Sequence, residues 1–350
     1  MTYNKPTSRQ SNSAASSRSN FSDGEQVPKP YSMVSLPKPA PQRKPPVGQE
    51  QFKLKRLSGK ISLRLTVKTA TFIASGVVAM GTDVSSLNKN IPLIKVAVSQ
   101  GEKIIIPGSS LKGVVRSTYE AITSSCLCKT RARKENIPEG YSECKDKTKL
   151  CPACQVFGAM GWQGLISFQD AVAETIKPSV GFMPSLYAPR TSRKAYFLNG
   201  KVAGRKFYYH AIKAVDKGQR GIPVQQAGAE LTLTTQLRFM NLTEAELGTL
   251  LIVLGQDQNN YFALKVGGGK PIGMGTMTVE VTEIEHSENV KNRYLSYTLS
   301  EDNTLTGDKL KQFIQKNVNA AKTLVQADQL KQLKAILEYP TKRTAPEGMY

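Results

Sequence analysis

The sequence predicts an α+β fold, a ferredoxin-like core of two strand-helix-strand halves, and three observations carry that expectation. Apolar and polar residues alternate along Ile61 to Val67 and again along Leu231 to Phe239, the period-two signature of strands with one buried face. Two stretches with helical spacing of apolar residues and helix-start signals, one after Pro107 and one after Thr243, stand between such strands. All five cysteines fall between Cys126 and Cys154, in a segment with no usable periodicity, so a metal rather than an apolar core is expected to fold it.

The elements follow in chain order. Residues 1–50 are rich in Ser, Pro, Gln and Lys, a composition that cannot offset the entropy of ordering, and read as a disordered basic tail. The folded domain is expected over 51–285, its first strand buried through Ile61, Leu63, Leu65 and Val67. Lys103 to Pro107 reads as a short strand, followed by a helix whose buried face is Leu111, Val114, Val115, Thr118, Tyr119 and Ile122, capped by Ser109 or Ser110. Beyond the cysteine insertion, 126–154, Gly164 to Ala171 is a strand ending in a turn, and Pro178 to Gln226 reads as a long basic loop. The strand Leu231 to Phe239 leads to Thr243 and Glu246, spaced as a capping box for a helix that stops at Gly255. Two further strands flank a glycine-rich segment, and 286–350 is a helical C-terminal extension with two amphipathic helices between Asp308 and Glu338.

Charge narrows the function. Lys and Arg number 48 against 27 Asp and Glu among 350 residues, a net charge of +21, which points to a polyanionic partner. The longest wholly apolar run is Leu250 to Leu254, far short of the ~20 residues a bilayer span needs. With no signal peptide in the first residues, a cytoplasmic protein without a membrane partner is expected.

Four motifs carry chemistry. Cys151 and Cys154 are spaced as a zinc knuckle, and Cys144 with either Cys126 or Cys128 completes a structural zinc site of four thiolates, which leaves no position for a catalytic water. Ser109, Ser110, Lys112 and Arg116 surround the start of a helix, where backbone N–H groups suit a phosphate or serve simply as a cap. The absence of a Gly-Lys-Ser/Thr ending disfavours a nucleoside triphosphatase. Gly267 to Gly275 places Gly268, Lys270 and Gly273 between two strands, which suits close backbone approach to a ligand, or a wide hairpin tip, and excludes the dinucleotide fingerprint. Finally, Arg190, Arg193, Lys194, Arg205, Lys206 and His210 interleave with Tyr196, Phe197, Phe207, Tyr208 and Tyr209. Cations neutralise phosphates while rings stack on unpaired bases, the chemistry of single-stranded RNA binding. His210 is an RNA-contact candidate, and a general acid or base if the chain were a guide-precursor-processing ribonuclease.

Taken in order, IPGSSLKGVVRS, CPACQVFG, ISFQDA, GRKFYYH and GGGKPIGMGTMTV resemble the RAMP superfamily of CRISPR-associated proteins, particularly backbone subunits of type III effector complexes. The resemblance covers about Lys60 to Ile284 and implies a modified ferredoxin-like, RNA-recognition-motif-like palm, a zinc insertion, and a projecting thumb loop at about 183–210. It further implies guide RNA and complementary target RNA as partners, beside neighbouring RAMP subunits. In catalytic members an aspartate after the first strand promotes metal-dependent cleavage of target RNA, and Asp83 stands at that place, with magnesium or manganese as the divalent cation. Without the double-aspartate form of some relatives, Asp83 is equally a turn-capping residue, and the chain a non-catalytic assembly subunit.

Overall fold

The computed structural model describes residues 30–84, 90–186, 194–218, 220–286 and 304–346. Its first strand, β1 (Tyr31–Ser35), lies inside the segment expected to be a tail. It is followed by the long β2 (Leu57–Val67), then β3 (Ala74–Ala79), β4 (Ile94–Ala97) and β5 (Lys103–Ile106). Helix α1 (Gly108–Ile122) and the short α2 (Pro152–Phe157) bracket the cysteine insertion, and β6 (Ile166–Phe168) and β7 (Ala171–Ala173) follow it. The stretch read as a basic loop holds β8 (Pro178–Pro184), β9 (Gly204–Tyr208) and β10 (Gly221–Ala227). The chain then forms β11 (Thr232–Leu242), α3 (Glu244–Val253), β12 (Leu264–Lys265), β13 (Thr276–His286), α4 (Gly307–Ala320) and α5 (Ala327–Leu337).

The main sheet runs in the order β12-β13-β2-β11-β7-β5, with β6 also on β11. Every one of these pairings is antiparallel, and β2 lies at the centre, Leu63 opposite Thr235 on one side and Val281 on the other. Alternation decides which face is buried. Ile61, Leu63, Leu65 and Val67 lie within the core, while Lys60 and Arg64 on the other face reach Glu285 at 2.7 Å and Glu280 at 3.3 Å. Against the buried face pack Leu111, Val115, Tyr119 and Ile122 of α1 and Leu247, Leu250 and Leu251 of α3, each contributing roughly 1.5–3 kcal/mol by leaving water. The capping box forms as expected: Thr243 Oγ1 accepts from Glu246 N at 3.1 Å, and the Glu246 carboxylate accepts from Thr243 N at 2.8 Å. A smaller sheet, β8-β10-β4-β3, carries the antiparallel ribbon made by β8 and β10, and its one parallel contact is Val224 beside Lys95.

Two boundaries are corrected. Residues 30–50 are not a flexible tail: β1 pairs along its full length with β9, Val34 is fully buried, and Lys44 bridges to Leu150. The C-terminal helices form where expected, but they belong to the core. Leu310, Val318, Leu330, Leu333, Ile336 and Leu337 join the same cluster as the sheet. Gly248 shows how closely α4 crosses α3, since a Cβ there would lie 1.8 Å from the Asn317 carbonyl oxygen. Among the described residues no helix is long and apolar enough to cross a membrane.

Candidate nucleic-acid interface and metal centre

Two of the sequence motifs, far apart in the chain, meet at one cleft of about 360 Å³. One wall is a face of α1, Ser110, Gly113, Val114 and Ser117; the other is the glycine-rich segment, Gly267, Gly268 and Lys270, with Phe72 to Ala74 between them. The glycine wall is fixed from behind by Gly268 N donating to the Phe72 carbonyl at 2.8 Å. Gly267 adopts φ +82°, where a Cβ would stand 2.4 Å from the Phe72 carbonyl oxygen, so only glycine lets the strands come this close. Gly113 is different: it is exposed in mid-helix, a Cβ there would meet nothing within 4 Å, and glycine at such a site costs a helix about 1 kcal/mol relative to alanine. The cleft lining contains Lys270, the hydroxyl residues Ser110 and Ser117 and three glycines, and no carboxylate.

The phosphate site expected at the start of α1 is corrected. No serine caps it; Gly108 N donates instead to Asp170 Oδ1 at 2.8 Å, so a carboxylate from the β6–β7 turn already answers the positive end of the helix. Ser109 is exposed and outside the cleft lining, whereas Ser110 is on it. Lys112 donates to the Ile166 carbonyl at 3.1 Å, and burial, then Arg116, lowers its pKa. Arg116 and Arg205, read as RNA contacts, both turn inward onto the buried Glu120, at 2.8 and 2.9 Å. Arg116 also donates to the Gly158 carbonyl and, at 3.4 Å, to Cys154 Sγ, while Arg205 donates to the carbonyls of Ser125 and Cys126. These guanidiniums hold the cysteine insertion to α1 and β9.

Four of the five cysteines come together and Cys128 stands apart from them. The sulfurs of Cys126, Cys144, Cys151 and Cys154 all lie within 4.8 Å of one another, and all four residues are buried. Four thiolates around a zinc ion at ~2.3 Å stand about 3.8 Å apart, and Cys126 and Cys154 are separated by 3.6 Å. Cys126 N and Cys151 N point at the sulfurs of Cys151 and Cys144 at 3.5 and 3.4 Å, the N–H···S support that thiolate ligands receive. Within this cluster hydrogen bonds among the sulfurs pull the Cys151 thiol far down and push Cys126 and Cys154 up. The donor set therefore suits a metal. Cys128 Sγ faces away from it, donating to Glu120 Oε1 at 3.1 Å, and burial, then Glu120, pushes it up to about 12.

The remaining candidates divide. His210 is 1% exposed, its Nδ1 3.0 Å from Thr276 Oγ1 and its Nε2 3.0 Å from the Ala263 carbonyl, and burial, then Lys265, lowers its pKa to about 3. It can neither touch RNA nor exchange protons with it, which removes the processing-ribonuclease reading that rested on it. Gly273 is buried, and its carbonyl accepts from Thr69 and Lys265, so its role lies in the turn. Lys206 is surrounded by Tyr31, Tyr208 and Tyr196, with Nζ 4.0, 4.6 and 5.2 Å from the ring centroids; those aromatics hold a lysine of their own chain rather than a base. Within the thumb assigned to 183–210, β9 packs against β1, Lys201 Nζ donates to the Glu135 carbonyl at 2.7 Å, and the end of β8 pairs with β10. Lys194 opens a short 3-10 turn, Lys194–Tyr196, while Arg190 and Arg193 lie outside the described residues. Asp83 is exposed on a one-turn helix, Gly81–Val84, where its carboxylate accepts from Met80 N at 3.3 Å. It belongs to no group of three or more His, Cys, Asp or Glu ligands among the described residues.

Residues 64–278 match the model of the RAMP superfamily, a span that takes in both walls of the cleft and all five cysteines. No curated protein matches the chain. Among solved structures, a chain in the cryo-EM structure of the Type III-B Cmr-beta bound to cognate target RNA is similar at 16% identity and a TM-score of 0.32, over 66% of this chain and 61% of that one.

Proposed function

Because the chain belongs to the RAMP superfamily, we propose that it is a guide-RNA-binding backbone subunit of a type III effector complex, with the α1–glycine cleft as the seat of the RNA backbone. The observation that carries this reading is the convergence of Ser110, Gly113 and Ser117 with Gly267, Gly268 and Lys270 on one carboxylate-free surface. Phosphodiesters suit hydroxyl donors, positive charge and walls without side chains in the way, and Ser110, Lys270 and the three glycines supply these here. The type III assignment rests on the order of the sequence motifs. A ferredoxin-like palm is supported by the order β13-β2-β11-β7 with α1 after β2 and α3 after β11. Neighbouring subunits suit the edge strand β3, where Val77, Val78 and, just beyond it, Met80 are all half exposed or more. Zinc held by Cys126, Cys144, Cys151 and Cys154 would supply folding energy to the insertion and no chemistry.

Binding of an unstructured single-stranded RNA to the purified chain tests this. Gly113→Gln, which fills the cleft without a contact to break, and Lys270→Ala are expected to weaken binding at least tenfold while leaving the melting temperature within a few degrees. Wild-type affinity in Gly113→Gln would place the RNA elsewhere. Cleavage of complementary target RNA at Asp83 is a second proposal, favoured by the exposure of its carboxylate; the chain's own residues do not complete a divalent-cation site there. Loss of magnesium- or manganese-dependent target cleavage by the assembled complex on Asp83→Ala, with RNA binding intact, is the expected result.

A further inference from the structure

Lys265, in β12, is 5% exposed, and its Nζ donates to the Gly273 carbonyl at 3.0 Å and to Thr276 Oγ1 at 3.3 Å. Neither acceptor carries a charge, and among the described residues no carboxylate lies within ion-pair distance of it. An ammonium taken out of water without a counter-ion is expensive, and methionine would fill the same space at lower cost. The groups around it add no negative charge. From the glycine turn comes Lys270; from the segment after β9, His210, which shares the Thr276 hydroxyl; from the C-terminal segment, Arg343, stacked 4.3 Å over Tyr209, and Tyr339 against His210. Asp216, on the chain outside the turn, is paired with Lys213 at 3.5 Å. The turn that gives Lys265 its Gly273 carbonyl is the one that presents Gly268 and Lys270 to the cleft.

We infer that Lys265 is a buried counter-cation for the RNA backbone seated over the glycine turn, and that docking of a phosphodiester drives uptake of one solvent proton by its amine. This rests on the RNA-binding reading above. Free of RNA, the amine stands near the middle of its titration at neutrality, because burial and then Lys270 lower it to about 7. A nearby phosphate favours the charged form and raises it again. Exposed lysines are already protonated at pH 8, and an ordinary histidine is already neutral; both bind phosphate there without a proton changing hands. Lys270, which burial also lowers, is the one other amine of the turn whose uptake the Lys265 variants must be separated from. His210 stays neutral throughout, held near 3.

Titration calorimetry of the full chain with an unstructured oligoribonucleotide, at pH 8 in two buffers of different ionisation enthalpy, reads the proton directly. Wild-type protein is expected to take up a sizeable fraction of a proton, and its affinity at constant ionic strength to be about tenfold weaker at pH 8.5 than at pH 7. Lys265→Met should abolish most of the uptake and flatten the profile. Lys265→Arg, which stays charged, should flatten it while keeping tight binding at pH 8.5. RNA binding by the wild type without proton uptake at pH 8 would overturn the inference and leave the cleft standing, a result that needs no variant to fold. Uptake that persists in a folded Lys265→Met protein would overturn it too. Failure to bind RNA even at pH 6 would overturn both.

Discussion

At the scale of single residues, the cysteines and His210 show how spacing and environment divide the work of identification. Cys151 and Cys154 were legible as a knuckle because two positions of spacing suffice to bring two sulfurs onto one ion. The choice between Cys126 and Cys128 was not, since it depends on Glu120, eight residues back on α1, accepting from the Cys128 thiol. Cys128→Ser should therefore leave about one equivalent of bound zinc, while Cys144→Ser should lose it and expose the insertion to proteolysis, as elemental analysis and limited digestion would show. His210 was misread because a run of aromatics and cations looks the same whether it faces solvent or core. Its depressed pKa has a sign that can be checked. Between about 3 and its ordinary value near 6.5 the unfolded chain binds the proton and the folded chain does not, so its contribution is complete above pH 6.5 and lost as pH falls toward 3. Urea melts at pH 5 and 7.5 should show wild-type stability falling on acidification, and falling less in His210→Gln.

Elements with strong periodicity were the legible ones. Strands β2 and β11 alternate cleanly, α3 carries its capping box, and α4 and α5 each show an apolar stripe. The stripe does not say what covers it, and here the answer was the core itself. Leu333, fully buried in α5, should cost about 2–5 kcal/mol when replaced by alanine, and Gly248→Ala, forced against the Asn317 carbonyl, should also lower the midpoint of thermal unfolding. A C-terminal extension that merely docked a neighbour would show neither effect in the isolated chain. Strands β1, β8, β9 and β10, which local pattern does not show, are short and paired with partners far away in sequence, and the last three contain Pro or Gly. Local pattern is weak wherever long-range pairing supplies the stability.

For the whole molecule, the net charge of +21 points to a polyanionic partner but not to a place of contact. Several of the most suggestive cations, Arg116, Arg205 and Lys206, are engaged within the chain. The cleft emerged only when the fold brought α1 to the glycine segment, a juxtaposition of small residues and turns that no single stretch displays. Salt dependence separates general from local attraction. If Lys270 touches the RNA backbone, Lys270→Ala should reduce the slope of log affinity against log salt by about 0.7, the share of one single-strand phosphate contact. An unchanged slope would move Lys270 off the backbone.

The seam between the two ends of the described chain bears on how the protein is made. Ser35 N donates to Gln332 Oε1 at 2.9 Å, and its hydroxyl accepts from Gln329 and Gln332. During synthesis β1 must wait for α5, whose Gln332 lies 297 residues after Ser35, so this seam closes only once that helix has left the ribosome. A nascent chain stalled before that helix would carry β1 and β9 without their cover, exposed to chaperones and proteases alike.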